Sequence, residues 1–418
     1  METKVKISFS EQAHRIQNRI NELAVISEMP VGITRRYGTD AFIKGRSLIQ
    51  KWMDEAGLQT RIDSIGNLRG RWPSANPNAK TFVIGSHIDT VINAGRFDGS
   101  LGVLMGLEMV EANTISDLPF NIDIVAFCDE EGSRFHTTYL GSSVLAGSFN
   151  YSFLERCDND GLSLGIIVKN CGGDPEKILS DAMKKQEWLG YFEIHIEQGP
   201  VLYKKNIPVA VVSSIAGQFR LELRLIGNAG HAGTVPMNMR QDALSCAAEC
   251  VLAIESVGKN HKDKMVATVG KLDVIHAASN VIPGEVRFTI DMRSPNIDFL
   301  QDIKNQLIDR ISAICDSRNI HFSCEVVQES NPVYCDPELN NLLAESVRES
   351  GFELLELYSG AGHDAVAIAG VAPISMMFVR CFEGISHNPK EDVELKDIEA
   401  GLKVAQTYIK NLIQKYKN

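Results

Sequence analysis

Histidine and carboxylate side chains follow an apolar run in a pattern that could hold a metal ion. His87 and Asp89 come directly after the run 81–84, which predicts a short buried strand that Gly85-Ser86 closes. Asp98 arrives from the loop after them. Because open α/β sheets place their sites beyond the carboxyl ends of strands, this stretch is a candidate site. A loop braced by hydrogen bonds is the alternative for a His-x-Asp pair taken alone.

Three further segments carry side chains of the same kinds. The β-branched run 121–128 predicts a strand that ends in the acidic residues 129–131. Three adjacent carboxylates are costly at neutral pH unless a cation or a proton lies among them, and a solvated acidic turn is the alternative. His195 lies at the end of a predicted strand over 191–196, and His387 follows a further buried run. Four predicted strand ends or following loops therefore carry histidines or carboxylates.

Together these segments supply the nitrogen and carboxylate donors that borderline divalent metals such as Zn²⁺, Mn²⁺ or Co²⁺ prefer: His87, Asp98, Glu131, His195 and His387. Five ligands exceed what one tetrahedral ion takes from a catalytic site, so two ions ~3.5–4 Å apart are indicated. In this scheme Asp98 bridges, His87 and His195 bind one ion, and Glu131 and His387 bind the other. Asp89 would accept a hydrogen bond from the second ring nitrogen of His87 and fix its tautomer.

Glu130, beside the predicted ligand Glu131, is free to act as a general base. It would deprotonate the attacking water, whose pKa the ions lower to ~7, and would later protonate the leaving nitrogen. The residues thus predict an amidohydrolase. A non-catalytic protein that binds a metal or a small molecule is an alternative, but such a scaffold has no need for the extra carboxylate.

The composition is that of an ordinary globular protein, with 418 residues, 44% hydrophobic and 23% charged. A formal net charge of −11 argues against binding to nucleic acids or anionic membranes, which need a basic patch. The first six residues lack the apolar core of a signal peptide, and no apolar run approaches the ~18 residues of a membrane span. We therefore expect a cytoplasmic location.

Nine cysteines are scattered along the chain without a Cys-x-x-Cys pair. This pattern predicts reduced, mostly buried thiols in a cytosolic enzyme. Cys246 and Cys250 would share one face of a helix and serve packing, and we expect no cysteine to provide a metal site or a nucleophile.

The pattern of apolar residues changes between residues 213 and 328, where it predicts the order β-α-β-β-α-β. The predicted strands cover 218–226, 265–274, 285–293 and 321–327, and the predicted helices cover 241–257 and 297–318. This is the split βαβ, or ferredoxin-like, arrangement, which can form a small domain by itself. It interrupts the segments 1–212 and 329–418. We therefore predict a two-domain α/β protein in which a mixed-sheet catalytic domain contains an inserted domain.

Six runs of this sequence resemble the M20-type metallohydrolases: Gly85–Thr90, Asp129–Phe135, His195–Leu202, Gly230–Met237, Ser359–Asp364 and Gly384–Pro389. Within these enzymes the chain is similar to the ureido-cleaving branch of allantoate amidohydrolase, N-carbamoyl-L-amino acid hydrolase and β-ureidopropionase. The resemblance covers nearly the whole chain. It implies the metal ligands given above, two divalent ions with Mn²⁺ or Zn²⁺ foremost, and an inserted lid domain through which a homodimer forms.

The same resemblance implies substrate-binding residues. Arg293 would clamp a substrate carboxylate through two hydrogen bonds, with a surface salt bridge as the alternative. Asn280 and Gln198 would bind carboxylate or ureido oxygen. His231 would stabilise the developing oxyanion from its own or the partner subunit's lid. His363, which follows Gly362 in a glycine-rich turn, would either touch the ureido group or only brace the loop.

The choice of substrate depends on shorter runs. The runs 216–220 and 138–142 look more like allantoate amidohydrolases, whereas 379–381 occurs in both groups. We expect hydrolysis of allantoate to ureidoglycine or ureidoglycolate, ammonia and CO₂, a reaction of purine catabolism. N-carbamoyl-L-amino acid hydrolysis is the alternative. An M20 peptidase is a weaker one, because Gln198, Asn280 and Arg293 suit a short ureido acid better than a peptide.

Overall fold

The computed structural model of the protein describes residues 7–112 and 118–417. Residues 1–6, on which the expected absence of a signal peptide rests, lie outside the described residues. Over the described ranges, no helix combines the length and apolar character that a membrane crossing requires. The chain divides into two compact units: a larger unit of Met1–Ser213 with Tyr334–Asn418, and a smaller unit of Ser214–Val333.

The helices of the described chain are α1 (Phe9–Ala24), α2 (Asp40–Glu55), α3 (Ser100–Ala112), α4 (Leu140–Leu145), α5 (Leu164–Asn170), α6 (Val201–Lys205), α7 (Ala243–Asn260), α8 (Ile297–Ser317), α9 (Pro337–Glu349), α10 (Ala365–Ile368) and α11 (Leu395–Lys417). The strands are β1 (Gln59–Ile62), β2 (Leu68–Trp72), β3 (Thr81–His87), β4 (Asn121–Phe127), β5 (Trp188–Ile196), β6 (Val209–Ile215), β7 (Gly217–Ile226), β8 (Gly230–His231), β9 (Val266–Thr268), β10 (Leu272–Ile275), β11 (Val281–Ile282), β12 (Glu285–Ser294), β13 (His321–Ser330), β14 (Val333–Tyr334), β15 (Glu356–Ser359) and β16 (Ile374–Val379).

The larger unit is built on a mixed sheet with the strand order β1-β2-β4-β3-β5-β16-β6-β14, and β15 also pairs with β6. Strands β4, β3, β5 and β16 run parallel, whereas β2 and β6 run antiparallel to their neighbours. Every residue of β3 and β4 is buried, as expected for strands with both faces covered. The predicted mixed-sheet α/β fold is confirmed. The four parallel strands end at one edge, where their following residues meet.

Helix α3 packs closely on this sheet just after the predicted site loop. Its first eleven residues are buried, from Ser100 to Val110. A Cβ atom on Gly102 would lie 2.1 Å from the backbone oxygen of Ile194, so a side chain at this position would force the helix away from β5. The glycine therefore lets α3 begin directly beside the strand that carries His195.

The smaller unit contains an antiparallel sheet with the order β10-β12-β7-β13, in which β9 also pairs with β12. Its apolar face and helices α7 and α8 form one hydrophobic core. The predicted single strand over 265–274 is wrong, because the structure has two short strands, β9 and β10. Three residues, 269–271, face two residues of β12, 289 and 290, and the extra residue interrupts the strand as a β-bulge does.

Candidate metal centre

Asp98 lies among three imidazole rings at the edge of the larger sheet. Its Oδ1 atom is 3.1 Å from Nε2 of His195 and 3.8 Å from Nε2 of His87. Its Oδ2 atom is 3.1 Å from Nε2 of His387. The carboxylate is only 4% exposed. The structure therefore brings together the side chains that the bridging scheme requires, with Asp98 at the centre.

The ring contacts of His87 and His195 suit the neutral form that binds a metal ion. Nδ1 of His87 is 3.0 Å from the backbone oxygen of Asp89, and Nδ1 of His195 is 2.9 Å from the backbone oxygen of Ile196. A neutral imidazole that donates from Nδ1 has a lone pair on Nε2. Both lone pairs then face Oδ1 of Asp98, a buried atom without a hydrogen-bond partner among the described residues. Lone pairs facing a carboxylate repel unless a proton or a metal ion lies between them, so these residues fit a metal ion that displaces the protons.

A second donor group shares Asp98 with the first. Nε2 of His387 lies 3.3 Å from Oε1 of Glu131 as well as beside Asp98. Within the described residues, two groups of donor atoms that lie within 4.8 Å of one another correspond to the two ions of the predicted scheme: His87 with Asp98 and His195, and Asp98 with Glu131 and His387. A third such group contains His87, Glu130 and Glu131. The donor set can thus hold two adjacent cations.

Asp89 has a different role from the predicted one. Its Oδ1 atom is 3.8 Å from Nδ1 of His87, which instead contacts the backbone oxygen of Asp89. The Asp89 carboxylate accepts hydrogen bonds from the backbone N–H groups of Glu130, at 3.1 Å, and Glu131, at 3.2 Å. The expected hydrogen bond from His87 to the carboxylate is therefore wrong, because backbone donors of the acidic loop occupy both carboxylate oxygens. Asp89 fixes the loop that follows β4.

The acidic loop itself is buried rather than solvated. Asp129 is 1% exposed and Glu130 is 7% exposed, which removes the alternative of a solvated turn for these two residues. Asp129 has a φ of 51°, in the left-handed region, and so turns the chain sharply after β4. Burial, followed by the negative charges of Glu131 and Asp364, raises the pKa of Glu130 well above its usual value. Glu130 is thus a carboxyl group of increased basicity beside the donor set.

The charges within the site are strongly coupled. Burial by itself lowers the pKa of His195, but the adjacent Asp98 carboxylate raises it to about 9. Hydrogen bonding to Asp98 and Glu131 raises the pKa of His387 to about 10. Burial raises the pKa of Asp98, but His195 and His387 hold it well below its usual value. Without a cation, protons on the imidazoles therefore balance the carboxylates, and a metal ion has to displace them.

Glu391 is a residue of this region that the sequence did not reveal. Its Oε1 atom accepts hydrogen bonds from the backbone N–H groups of Phe97, at 2.8 Å, and Asp98, at 3.1 Å. Its Oε2 atom accepts a hydrogen bond from Oγ of Ser386 at 3.0 Å. Burial, followed by the charge of Asp98, raises the pKa of Glu391 to about 7. Glu391 therefore joins the loop that carries Asp98 to the loop that carries His387.

Gln198 lies beside the bridging carboxylate. Its amide nitrogen donates to Oδ2 of Asp98 at 3.1 Å and to Oγ of Ser386 at 3.3 Å. Its φ is 55°, which turns the chain out of β5. The side chain that the sequence assigned to substrate oxygen thus contacts the metal-ligand set in this structure.

His363 braces the glycine-rich turn. Its Nε2 atom is 2.7 Å from Oγ of Ser359, and its ring centroid is 4.5 Å from that of His195. A Cβ atom on Gly362 would lie 1.7 Å from the hydroxyl oxygen of Tyr139, so only glycine fits at this position. Of the two roles expected for His363, the structure shows the loop brace, which also supports a predicted ligand.

Two buried carboxyl groups behind this turn received no role from the sequence. Oε2 of Glu193 accepts a hydrogen bond from the backbone N–H of Ala365 at 2.9 Å. Burial raises the pKa of Glu193, and burial together with the charge of Glu193 raises the pKa of Asp364 well above its usual value. The alternation of β5 puts Glu193 on the same strand face as His195, which was the available signal. A chain of buried carboxyl groups with raised pKa values thus extends from the donor set into the core.

In the smaller unit, two of the predicted substrate-binding residues lie close together. Strand β8 pairs with β11 so that His231 faces Val281, and the backbone N–H of Ala232 donates to the backbone oxygen of Asn280 at 2.9 Å. Nδ1 of His231 accepts a hydrogen bond from the backbone N–H of Gly233 at 3.0 Å. A neutral His231 therefore carries its proton on Nε2, where it can donate to an oxyanion.

Arg293 lies on β12 and forms an ion pair in the same strand. Its Nε atom is 2.7 Å from Oδ1 of Asp291, and its Nη2 atom is 2.9 Å from Oδ2. This is the two-pronged geometry by which a guanidinium binds any carboxylate. The side chain thus has the form expected for a carboxylate clamp, while Asp291 occupies it here.

Comparison with known proteins places these features in a family. Residues 83–411 match the model described as peptidase family M20/M25/M40. The chain is similar to allantoate deiminase of Arabidopsis thaliana, with 38% identity over 93% of this chain and 80% of that protein. It is also similar to N-carbamoyl-L-amino acid amidohydrolase of Geobacillus stearothermophilus, with 36% identity over 96% of this chain and 99% of that protein.

Solved structures agree with this match. The fold is similar to an amidase of the hydantoinase/carbamoylase family from Burkholderia multivorans, with a TM-score of 0.89, 35% identity, and coverage of 96% of this chain and 97% of that chain. It is also similar to AtUAH in complex with glyoxylate, with a TM-score of 0.79, 30% identity, and coverage of 98% and 100% of the two chains. Both likenesses extend over nearly the whole of each chain.

Proposed function

Because this chain belongs to peptidase family M20/M25/M40 and is a hydrolase of C–N bonds, we propose that its substrate is allantoate. Hydrolysis of one ureido group with one water would give ureidoglycine, ammonia and CO₂, and a second water would convert ureidoglycine to ureidoglycolate and ammonia. The names of the similar plant proteins support this choice, since several are allantoate deiminases at 36–38% identity. The reaction would belong to purine catabolism.

The observation that carries the proposed metal-dependent hydrolysis is the convergence of two donor groups on Asp98 with Glu130 beside them. His87 and His195 would hold one divalent ion, and Glu131 and His387 would hold the other, with Mn²⁺ or Zn²⁺ as the expected metals. When bound, such ions activate the attacking water and polarise the scissile carbonyl. The contacts of Nδ1 of His87 and of His195 with backbone oxygens support this use of the site, because they leave Nε2 of each ring directed at Asp98.

Glu130 would act as the general base. Its Oε atom would accept a proton from the attacking water and pass that proton to the leaving nitrogen of the ureido group. The raised pKa suits this exchange, because it makes the Glu130 carboxylate a stronger base than an ordinary glutamate. Asp89 would keep Glu130 in place through the backbone hydrogen bond of 3.1 Å.

Binding of the substrate would use residues of the smaller unit. The guanidinium of Arg293 would bind the substrate carboxylate in place of Asp291, and Asn280 would bind a carboxylate or ureido oxygen. Nε2–H of His231 would donate to the developing oxyanion. Gln198 would contribute its amide to the ureido group from beside Asp98.

The second candidate is hydrolysis of N-carbamoyl-L-amino acids. A similar N-carbamoyl-L-amino-acid amidohydrolase of Pseudomonas sp. (strain NS671) is 40% identical over 85% of this chain and 87% of that protein, which favours this alternative. Both substrates carry a ureido group next to a carboxylate, so the same residues could bind either substrate.

We further propose a cytoplasmic homodimer that forms through the smaller unit.

A substrate panel tests the proposal. The Mn²⁺-loaded protein would be assayed for ammonia release from allantoate, several N-carbamoyl-L-amino acids and 3-ureidopropionate, and for release of free amino acids from dipeptides, with Glu130→Gln as the inactive control. We expect the largest kcat/KM for allantoate. Turnover of an N-carbamoyl-L-amino acid without turnover of allantoate would replace the first choice by the second, and turnover of dipeptides alone would reject both.

A further inference from the structure

Three cysteines from two helices converge inside the smaller unit. Cys246 and Cys250 lie one turn apart on α7, and Cys315 lies on α8. Sγ of Cys246 is 3.7 Å from Sγ of Cys315, and the three sulfurs all lie within 4.8 Å of one another. All three residues are fully buried. The sequence predicted that Cys246 and Cys250 pack and that no cysteine provides a metal site, because nothing local shows that Cys315 joins them.

The spacing of the sulfurs suits a metal ion better than a disulfide. A disulfide needs an S–S distance of about 2.05 Å, so the 3.7 Å pair would have to move closer. Two thiolates bound to one tetrahedral Zn²⁺ at about 2.3 Å lie roughly 3.8 Å apart. The sulfurs of Cys246 and Cys315 already stand at that distance, and α7 and α8 hold them there.

The charge around the cluster indicates the class of ion. Three thiolates with a divalent ion carry one net negative charge, whereas a monovalent ion would leave two, which is more costly in a buried site. Arg318, directly after α8, forms an ion pair with Glu249, whose Oε2 atom is 3.0 Å from Nε. Arg318 thus provides a positive charge that acts on Cys246.

We propose that Cys246, Cys250 and Cys315 bind a divalent thiophilic cation such as Zn²⁺, or Cd²⁺ as its analogue. Soft thiolate ligands select ions of this kind over the hard cations that carboxylates prefer. Each S–H group that binds loses its proton to solvent, and no sulfur is oxidised. Three protein ligands leave one tetrahedral position for a water molecule. The ion would link α7 to α8 and stabilise the smaller unit independently of Asp98 and its histidines.

Cd²⁺ is the probe for this site in the full-length protein. Thiolate ligands give an ultraviolet charge-transfer band with Cd²⁺ that nitrogen and oxygen ligands do not give, so the band separates this cluster from the candidate metal centre. We expect the reduced wild-type protein to develop the band with one equivalent of thiolate-bound Cd²⁺. Cys315→Ser should bind this Cd²⁺ at least about tenfold more weakly, the scale of a disturbed metal site.

Matched controls come from cysteines outside the cluster. Cys157→Ser, at an exposed position, and Cys324→Ser, at a half-buried position in the same unit, should retain the full band. A wild-type protein without the band, or an equal band in Cys315→Ser, would overturn the proposal. If Cys315→Ser does not fold, cadmium-113 NMR of the wild-type protein decides, because a resonance from sulfur ligands supports the site and its absence rejects it.

Discussion

Oδ1 of Asp89 accepts the backbone N–H of Glu130 at 3.1 Å, so the carboxylate after one strand fixes the carboxylate after its neighbour. Strands β3 and β4 are parallel neighbours, and their ends therefore bring these two residues together. This hydrogen bond shows that the site contains residues that position the loop as well as residues that take part in the reaction. Asp89 positions the loop, whereas Glu130 offers its side chain to the reaction.

Asp89→Asn should lower kcat by roughly 10–100-fold, the cost of disturbing groups that orient a metal site. Asparagine keeps one acceptor oxygen but turns an N–H donor toward the N–H of Glu130 or Glu131. The measurement is kcat together with metal content by elemental analysis. A kcat equal to that of the wild type would show that the loop does not depend on Asp89.

Glu130→Gln should retain both metal ions and lose about 10²-fold or more in kcat, the scale of general base catalysis. The amide has nearly the same shape but cannot accept the proton of the attacking water. Steady-state rates and metal content would be measured on the same preparation. Glu131→Gln is the matched control, because removal of a predicted ligand should lower the metal content itself. An active Glu130→Gln variant would remove Glu130 from the role of base.

Metal affinity should rise with pH. In the metal-free protein the pKa of His195 is raised to about 9 and that of His387 to about 10, so both rings are protonated at neutral pH. Each ring has to lose its proton before it binds an ion, and raising the pH toward these values removes that competition. Calorimetric titration with Mn²⁺ should show about a tenfold gain in affinity per pH unit for each proton released. An affinity independent of pH would contradict this assignment of ligands.

Glu391→Ala should destabilise the protein and loosen metal binding together. The substitution leaves the buried N–H groups of Phe97 and Asp98 without their acceptor, and each unsatisfied donor costs about 1–3 kcal/mol in the free energy of unfolding. Chemical unfolding and metal content would be compared with Lys390→Ala, a change at the neighbouring exposed position. Equal stability of the two variants would contradict the role of Glu391 in joining the loops.

Arg293→Lys should raise KM for allantoate by about tenfold or more and change kcat much less, because lysine keeps the charge but loses the two-pronged geometry. Arg287→Lys is the matched control, since Arg287 lies on the same strand and pairs with Glu285. Steady-state kinetics of both variants would be measured. An unchanged KM in Arg293→Lys would remove Arg293 from the role of carboxylate clamp.

The sequence allowed prediction of the features that depend on local patterns. Apolar runs and alternation located strands β3, β4, β5 and β16, and the end of each strand or the loop after it supplied His87, Glu131, His195 and His387. Parallel strands end at one edge, so their following residues had to meet. The hydrophobic pattern was therefore sufficient to predict that the metal-binding side chains lie close together, although it contains no information on distant contacts.

Other features depend on contacts between residues far apart in the chain. Glu391 accepts the N–H of Asp98 across 293 residues, and the Cys246–Cys315 contact spans 69. No periodicity or spacing encodes such pairs. The acceptor of the His87 ring is a backbone oxygen, which every residue has, and a sequence cannot show which one comes within reach. The bulge between β9 and β10 similarly depends on the pairing of both strands with β12.

The strand order has a consequence for the synthesis of the protein. Strand β16 lies between β5 and β6, although the ribosome makes it about 160 residues after β6, beyond the whole of the smaller unit. A nascent chain that ends before β16 lacks the middle of the larger sheet and the loop with His387. The smaller unit, whose sheet is complete within its own segment, can fold first. The full set of donors then exists only when translation is nearly finished, so a partial chain lacks part of the proposed metal centre.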